Sequence, residues 1–222
     1  MRTLKDRLNT IESLVPIGAR VADIGTDHGH LPISLIKGKI ATKVIACDIN
    51  EKPLANAKDN IEKTNTEGIE LRLGDGLAPV KHGEVDCVII AGMGGEVIAG
   101  ILENCPFIKD DSYTLLLQPM TSANALRRYL CENGFSIQSE TAVAEGKRIY
   151  TVIKAAYSGE KAEYSEAFYL CGKLDPKEEV ARQYIEKQQK IALKALNDLL
   201  GNNMDCAQYE ALYRQISEIL GE

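Results

Sequence analysis

Short apolar runs alternate along the chain with longer stretches in which apolar residues recur every three or four positions. Leu4, Leu8, Ile11, Leu14 and Val15 recur in this way before Pro16 and Gly18, so the pattern predicts an amphipathic helix over 3–15. Its basic residues Arg2, Lys5 and Arg7 are expected on or near the outer surface. A strand is predicted over 20–24, a helix over 31–37, a strand over 43–48 and a helix through Ala55 and Ile61. A third strand, Ile69–Leu73, alternates and ends at Gly74-Asp75-Gly76. Residues 84–91 are almost continuously apolar, the mark of a central strand buried on both faces, and run into Gly92-Met93-Gly94-Gly95 and a helix over 96–102. Residues 113–118 make a fifth strand closed by Pro119, before a helix carrying Arg127, Arg128 and Leu130. The runs at 135–143 and 148–155 form a closing β-hairpin. This alternation predicts an α/β fold with a mostly parallel, doubly wound sheet.

After Ser158-Gly159 the periodicity is helical only. Asp175-Pro176-Lys177-Glu178 combines an N-cap acid, a proline at the first helical position and a glutamate at the third, a helix start. Ala181, Tyr184, Gln188, Ile191, Ala195 and Leu199 then share one near-heptad face, up to Gly201. Asp205 with Gln208 opens another helix, whose stripe is Tyr209, Leu212, Tyr213, Ile216, Ile219 and Leu220. The short connection predicts an antiparallel, coiled-coil-like hairpin. Two domains are expected, 1–158 and 159–222.

The 222 residues, 45% of them hydrophobic, suffice for one α/β core with an addition. Residues 1–20 are too charged for a signal peptide and no apolar run reaches the length of a membrane span. A cytoplasmic chain without membrane contact is expected. Six cysteines lie far apart with no C-x-x-C pair, beside only three histidines, so neither a metal site nor a disulfide framework is expected. The net charge of −6 weighs against nucleic acid as a general partner but leaves room for a local basic face.

The stretch Val21-Ala22-Asp23-Ile24-Gly25-Thr26-Asp27-His28-Gly29-His30-Leu31-Pro32 carries the first candidate chemistry. Gly25 and Gly29 allow a tight turn that a ligand can approach closely, with free N–H groups at the start of the next helix. A second apolar run ends in Asp48, a little over twenty residues beyond Gly25. In a nucleotide-binding βαβ unit a carboxylate at that place takes the ribose hydroxyls. The plainer reading is an ordinary strand-to-helix turn followed by a surface aspartate.

Together with a second acid after strand three, Asp75, these residues resemble the seven-stranded, Rossmann-like S-adenosylmethionine-dependent methyltransferases. An NAD site fits less well, because its G-x-G-x-x-G fingerprint needs three glycines and this loop has two. D-I-G-T-D-H-G-H-L-P at 23–32, A-G-M-G-G at 91–95, L-L-L-Q-P-M at 115–120 and E-G-K-x-I-Y at 145–150 narrow the resemblance. They look like the bacterial tRNA adenine-N1 methyltransferases that modify position 22, and the helical tail is of that family's kind. The resemblance implies S-adenosylmethionine as cofactor and tRNA as partner; no DNA partner and a monomer are expected. It implies cofactor contacts at Gly25, Thr26, Asp27, His28, Asp48, Ile49, Asp75, Gly76, Gly92 and Met93.

One departure stands out: Asp27 occupies a place where most such enzymes have glycine. It either caps the following helix or orients the cofactor, or it reaches the target base. His28 and His30 lack further ligands at metal-binding spacing. Gly92-Met93-Gly94-Gly95 lacks the acid and aromatic ring of a D/N-P-P-Y segment, which disfavours chemistry on the exocyclic amine. Adenine N1 is unprotonated near neutral pH, so its methylation needs positioning more than a general base. The base must first be unpaired or flipped out. Gln118 and Asp27 are the candidate acceptors for the adenine amino group. Arg2, Lys5, Arg7, Arg127, Arg128, Lys187, Lys190 and Lys194 are the candidate RNA contacts. The last three share one helix face, where Glu186 is placed to pair with Lys190. A small-molecule methyltransferase, an NAD-binding oxidoreductase and a non-enzymatic cofactor-binding module with a partner-recruiting tail are the alternatives.

Overall fold

A computed structural model of the chain describes residues 6–202 and 204–222. Seven strands, β1 (Ala19–Ile24), β2 (Ala41–Asp48), β3 (Ile69–Leu73), β4 (Cys87–Gly94), β5 (Thr114–Thr121), β6 (Phe135–Glu145) and β7 (Arg148–Tyr157), form one sheet in the order β3-β2-β1-β4-β5-β7-β6. The first five are parallel; β7 runs antiparallel to both β5 and β6. The chain leaves β1 toward β2 and β3 and returns to its other side with β4. That reversal opens a crevice at the carboxyl ends of the strands.

Strand alternation divides the core. Val88 and Ile90 of β4, with Leu115 and Leu117 of β5, pack under α4 (Gly95–Glu103) and α5 (Ala123–Glu132). Cys87, Ile89 and Leu116 turn to the other face, under α1 (Asp6–Leu14) and α2 (His30–Lys37). The fifth flanking helix, α3, spans Glu51–Thr64. Each fully buried Ile or Leu contributes about 1.5–3 kcal/mol, so this double-sided burial sets the register of the central strands.

Strand β4 begins and ends three residues later than the apolar run. Glu84 is drawn off to Arg72, while Met93 and Gly94 pair with Pro119 and Thr121. Strand β5 likewise passes through Pro119. Its ladder to β7 ends at Leu117, so proline removes no hydrogen bond from that side.

Beyond β7 come α6 (Glu166–Cys171), α7 (Glu179–Gly201) and α8 (Ala207–Leu220). The periodicity did not single out α6, whose N-terminus is capped by the Ser165 hydroxyl accepting the Phe168 N–H at 3.2 Å. The predicted start at Asp175 is a turn instead: its carboxylate accepts the Lys177 N–H, and the helix opens at Glu179. The buried face of α7 is Ala181, Tyr184, Ile185, Ala192 and Leu196, and Ile191 is 56% exposed. The buried face departs from the near-heptad reading after Tyr184, as α7 packs on α8, α6 and β6 at once. Gln189 donates to the Ser217 hydroxyl at 2.9 Å and Arg182 to the Leu220 carbonyl at 3.4 Å, which fixes α7 and α8 as antiparallel. No described helix is long and apolar enough to cross a membrane.

Candidate active site at the carboxyl edge of the sheet

The sheet register lines up the sequence motifs. Ile24 stands opposite Cys47 on one side and Ile90 on the other; Asp48 stands opposite Leu73, and Ala91 opposite Gln118. The next positions put Gly25, Asp48 and Gln118 on one row, with Gly92 one residue and Asp75 two residues beyond it.

Gly25 sits at φ +80° and Gly29 at φ +66°. The N–H groups of Gly25 and Thr26 both donate to the Cys47 carbonyl, at 2.8 and 3.0 Å, tying the loop to β2. A Cβ on Gly25 would lie 2.2 Å from Met93 Cε. That methyl is the free end of a flexible side chain and can swing aside, so it is the positive φ that calls for glycine here. A Cβ on Gly29 would lie 3.1 Å from Ala57 Cβ of α3, and one on Gly76, at φ +50°, would lie 3.0 Å from Ile101 Cγ2.

Asp48 is half-buried; its Oδ1 accepts the Asn50 N–H at 2.8 Å, and its carbonyl accepts the Gly74 N–H at 3.0 Å. Beside it Ile49 is 61% exposed, an apolar side chain left open on the crevice, and Asp75 is exposed after β3. Asp27 projects into solvent, its carboxylate 3.5 Å from His28 Nε2, and the His28 and His30 rings stack at 5.5 Å. No group of three or more metal-ligating side chains occurs among the described residues.

Asp23, which the sequence marks only as the acidic end of strand one, is buried beside the loop. Burial pushes its carboxyl up to about 6; the Thr26 hydrogen bond opposes that shift and the charge of Asp48 adds to it.

Gln118 is fully buried at the other end of the row. Its Oε1 accepts from Arg7 Nη1 at 2.9 Å and from the Gly92 N–H at 3.2 Å. Its Nε2 donates to the Pro119 carbonyl at 2.9 Å and lies 3.6 Å from Met120 Sδ. With its oxygen doubly engaged, Gln118 does not serve as the free acceptor for an adenine amino group; it holds Arg7 and the Gly92 turn in place. Arg7 is correspondingly not on the outer surface. Its side chain is 15% exposed and its Nε lies 3.2 Å from Glu145 Oε2 at the end of β6. Neither Arg7 nor Glu145 carries a local signal for this role, because the contact forms only when α1 packs against the β6–β7 hairpin.

The expected RNA contacts separate. Arg2 and Lys5 lie outside the described residues. Arg127 is excluded by burial: its guanidinium is ion-paired with Glu140 at 2.9 Å, and both side chains are inaccessible. Arg128 is held by Glu166 and Glu132 and lies over the Tyr169 ring. Lys187, Lys190 and Lys194 are exposed on α7, and Glu186 pairs with Arg182, not with Lys190.

Comparison with known proteins places this arrangement. A family model described as a methyltransferase domain matches residues 4–153. The tRNA (adenine(22)-N(1))-methyltransferase of Bacillus subtilis is 36% identical over 97% of this chain and 86% of its own length. Among solved structures, Streptococcus pneumoniae Sp1610 in complex with S-adenosyl-L-methionine superposes with a TM-score of 0.81 at 31% identity, covering 96% of this chain and 98% of that one. TrmK of M. capricolum, in complex with S-adenosyl-homocysteine, gives a TM-score of 0.77 at 29% identity over 98% and 96% of the two chains. With a matching domain model and a near full-length relative, the chain belongs to the methyltransferases and, among them, to the bacterial tRNA (adenine-22-N1)-methyltransferase family.

Proposed function

We propose that this protein transfers a methyl group from S-adenosylmethionine to N1 of adenine 22 in tRNA. The observation that carries the reading is the gathering of Asp75, Asp48, Gly25, Gly92 and Gln118 at the carboxyl edge of neighbouring strands, in a chain of this family. The donor set fits a nucleoside bearing an amino-acid tail. Asp48 would take the ribose hydroxyls, Asp75 the adenine amino group, and Ile49 would cover the adenine face. Gly25, Thr26, Asp27, His28 and Gly76 would line the rest of the site, and Gly92 with Met93 its boundary toward the acceptor. S-adenosylmethionine supplies the electrophilic methyl; the protein supplies alignment and exclusion of water.

The acceptor needs no deprotonation before attack, so alignment carries most of the burden. Gln118 orients the Gly92 turn and Arg7, the groups that face the incoming base. The chain works as two parts, 1–158 holding the cofactor and 159–222 contacting tRNA through Lys187, Lys190 and Lys194. We take it to act as a cytoplasmic monomer. The small-molecule, NAD-dependent and non-enzymatic alternatives have no comparable support from relatives. Mass spectrometry of tRNA from cells lacking the gene tests the assignment. Loss of 1-methyladenosine at position 22 is expected, and an unchanged content overturns it.

A further inference from the structure

A cleft of about 260 Å³ opens beside Gln118, walled by the β5–α5 junction, the start of β7 and the middle of α7. Its lining begins at Pro119, the next residue after Gln118, and includes Thr121, Ser122 and Asn124 from the junction, Tyr150 from β7, and Lys187 and Gln188 from α7. Among the described lining residues Lys187 is the one charge and no carboxylate occurs. In a chain with 32 acidic against 26 basic residues, an acid-free wall runs against the average surface. The first turn of α5 forms part of it, and the N-cap Ser122 makes no side-chain cap hydrogen bond there. Lys147 and Arg148 stand exposed at the hairpin tip beside Tyr150, and neither they nor Lys187 holds an ion pair among the described residues. Arg20, Arg72, Arg127 and Arg128, by contrast, are each tied to a carboxylate.

Hydroxyls, amides and a single cation, with no acid in the lining, match a sugar-phosphate and the edge of an unstacked base. The position matches as well. Thr121 lies three residues beyond Gln118, about 10 Å along the strand. A base presented at the Gly92 turn and an occupant of the cleft can thus belong to one nucleic-acid strand. We propose that the cleft is the subsite for the tRNA nucleotide adjacent to the methylated adenine, its phosphate held by Lys187 and the first turn of α5. This rests on the tRNA methyltransferase reading above.

Asn124→Glu separates a binding role from a structural one. Asn124 is exposed in the first turn of α5, where a carboxylate favours the helix, yet it gives the cleft the charge that opposes a phosphate. On the full chain with a full-length tRNA transcript, Asn124→Glu is expected to raise the KM for tRNA at least tenfold. Its thermal midpoint should not fall, and its calorimetric affinity for S-adenosylmethionine should not change. Lys187→Gln should lower the log–log salt slope of tRNA binding by about one. Lys63→Gln, at the far end of α3, should behave as the parent. The subsite is overturned if Asn124→Glu keeps the parent's KM for tRNA, if Lys187→Gln keeps the parent's salt slope, or if Lys63→Gln matches either change. A parent that forms no methyladenosine overturns the underlying reading instead, an outcome distinct from an active parent whose cleft variants are unaffected.

Discussion

Replacing Arg127 with methionine should destabilise the protein far more than losing an ordinary side chain. Arg127 Nε donates to both Glu140 oxygens at 3.1 Å, and Nη2 donates to Glu140 Oε2 at 2.9 Å and to the Thr151 hydroxyl at 3.4 Å. Nη1 donates to the carbonyls of Tyr169 and Leu170 at 2.8 and 3.0 Å. This one guanidinium therefore joins α5 and the β6–β7 hairpin to α6. Methionine keeps the apolar stem but strands a buried carboxylate, to which the Lys173 N–H still donates at 3.1 Å. Removing one partner of a buried pair costs about 3–5 kcal/mol. In a chain of this size each kcal/mol moves the thermal midpoint by about 2–4 °C, so a fall of about 6–20 °C is expected. Urea denaturation of the single variant and of the Arg127→Met, Glu140→Leu double variant measures the coupling. The double variant should recover at least half of the loss, because no uncompensated charge remains. A single-variant cost below about 1 kcal/mol, or a double variant as unstable as the two singles summed, would refute the account.

Two further expectations concern the site. Asp23 is raised from 3.8 to about 6, so between those values the folded chain holds a proton that the unfolded chain has released, and stability falls as pH rises through that window. Asp23→Asn should remove up to about 3 kcal/mol of that penalty. The cofactor-free variant should unfold at a higher temperature than the parent near pH 7.5, with the difference vanishing near about pH 4; a parallel offset at both pH values would sink the idea. Gln118→Leu leaves Arg7 and the Gly92 N–H without their acceptor. It should lower kcat/KM by about ten- to a hundredfold while S-adenosylmethionine affinity stays close to the parent's. Loss of cofactor binding in step with turnover would place Gln118 in the cofactor site instead.

The amino-acid sequence by itself determined the order of the seven strands and the helices among them, the crevice side of the sheet and its glycines and acids, but not α6. Those features are local: a doubly buried strand reads as a continuous apolar run, and a turn that needs positive φ reads as Gly25 or Gly29. Family-specific motifs at 23–32 and 91–95 carried the chemistry because they sit in those local turns. Only the tertiary structure decided the fate of the charged residues. Arg7, Arg127 and Arg128 look alike in sequence. One reaches Gln118 and Glu145 across the sheet edge, one is sealed against Glu140, and one is spent on Glu132 and Glu166 at the surface. The exposure of Ile191 and the passage of β5 through Pro119 were likewise set by which neighbours arrived. The physical reason is one of range. Backbone preference and apolar periodicity act within a few residues, whereas a charge settles where its partner lies, and Arg7 meets Gln118 only once α1 has packed against the hairpin.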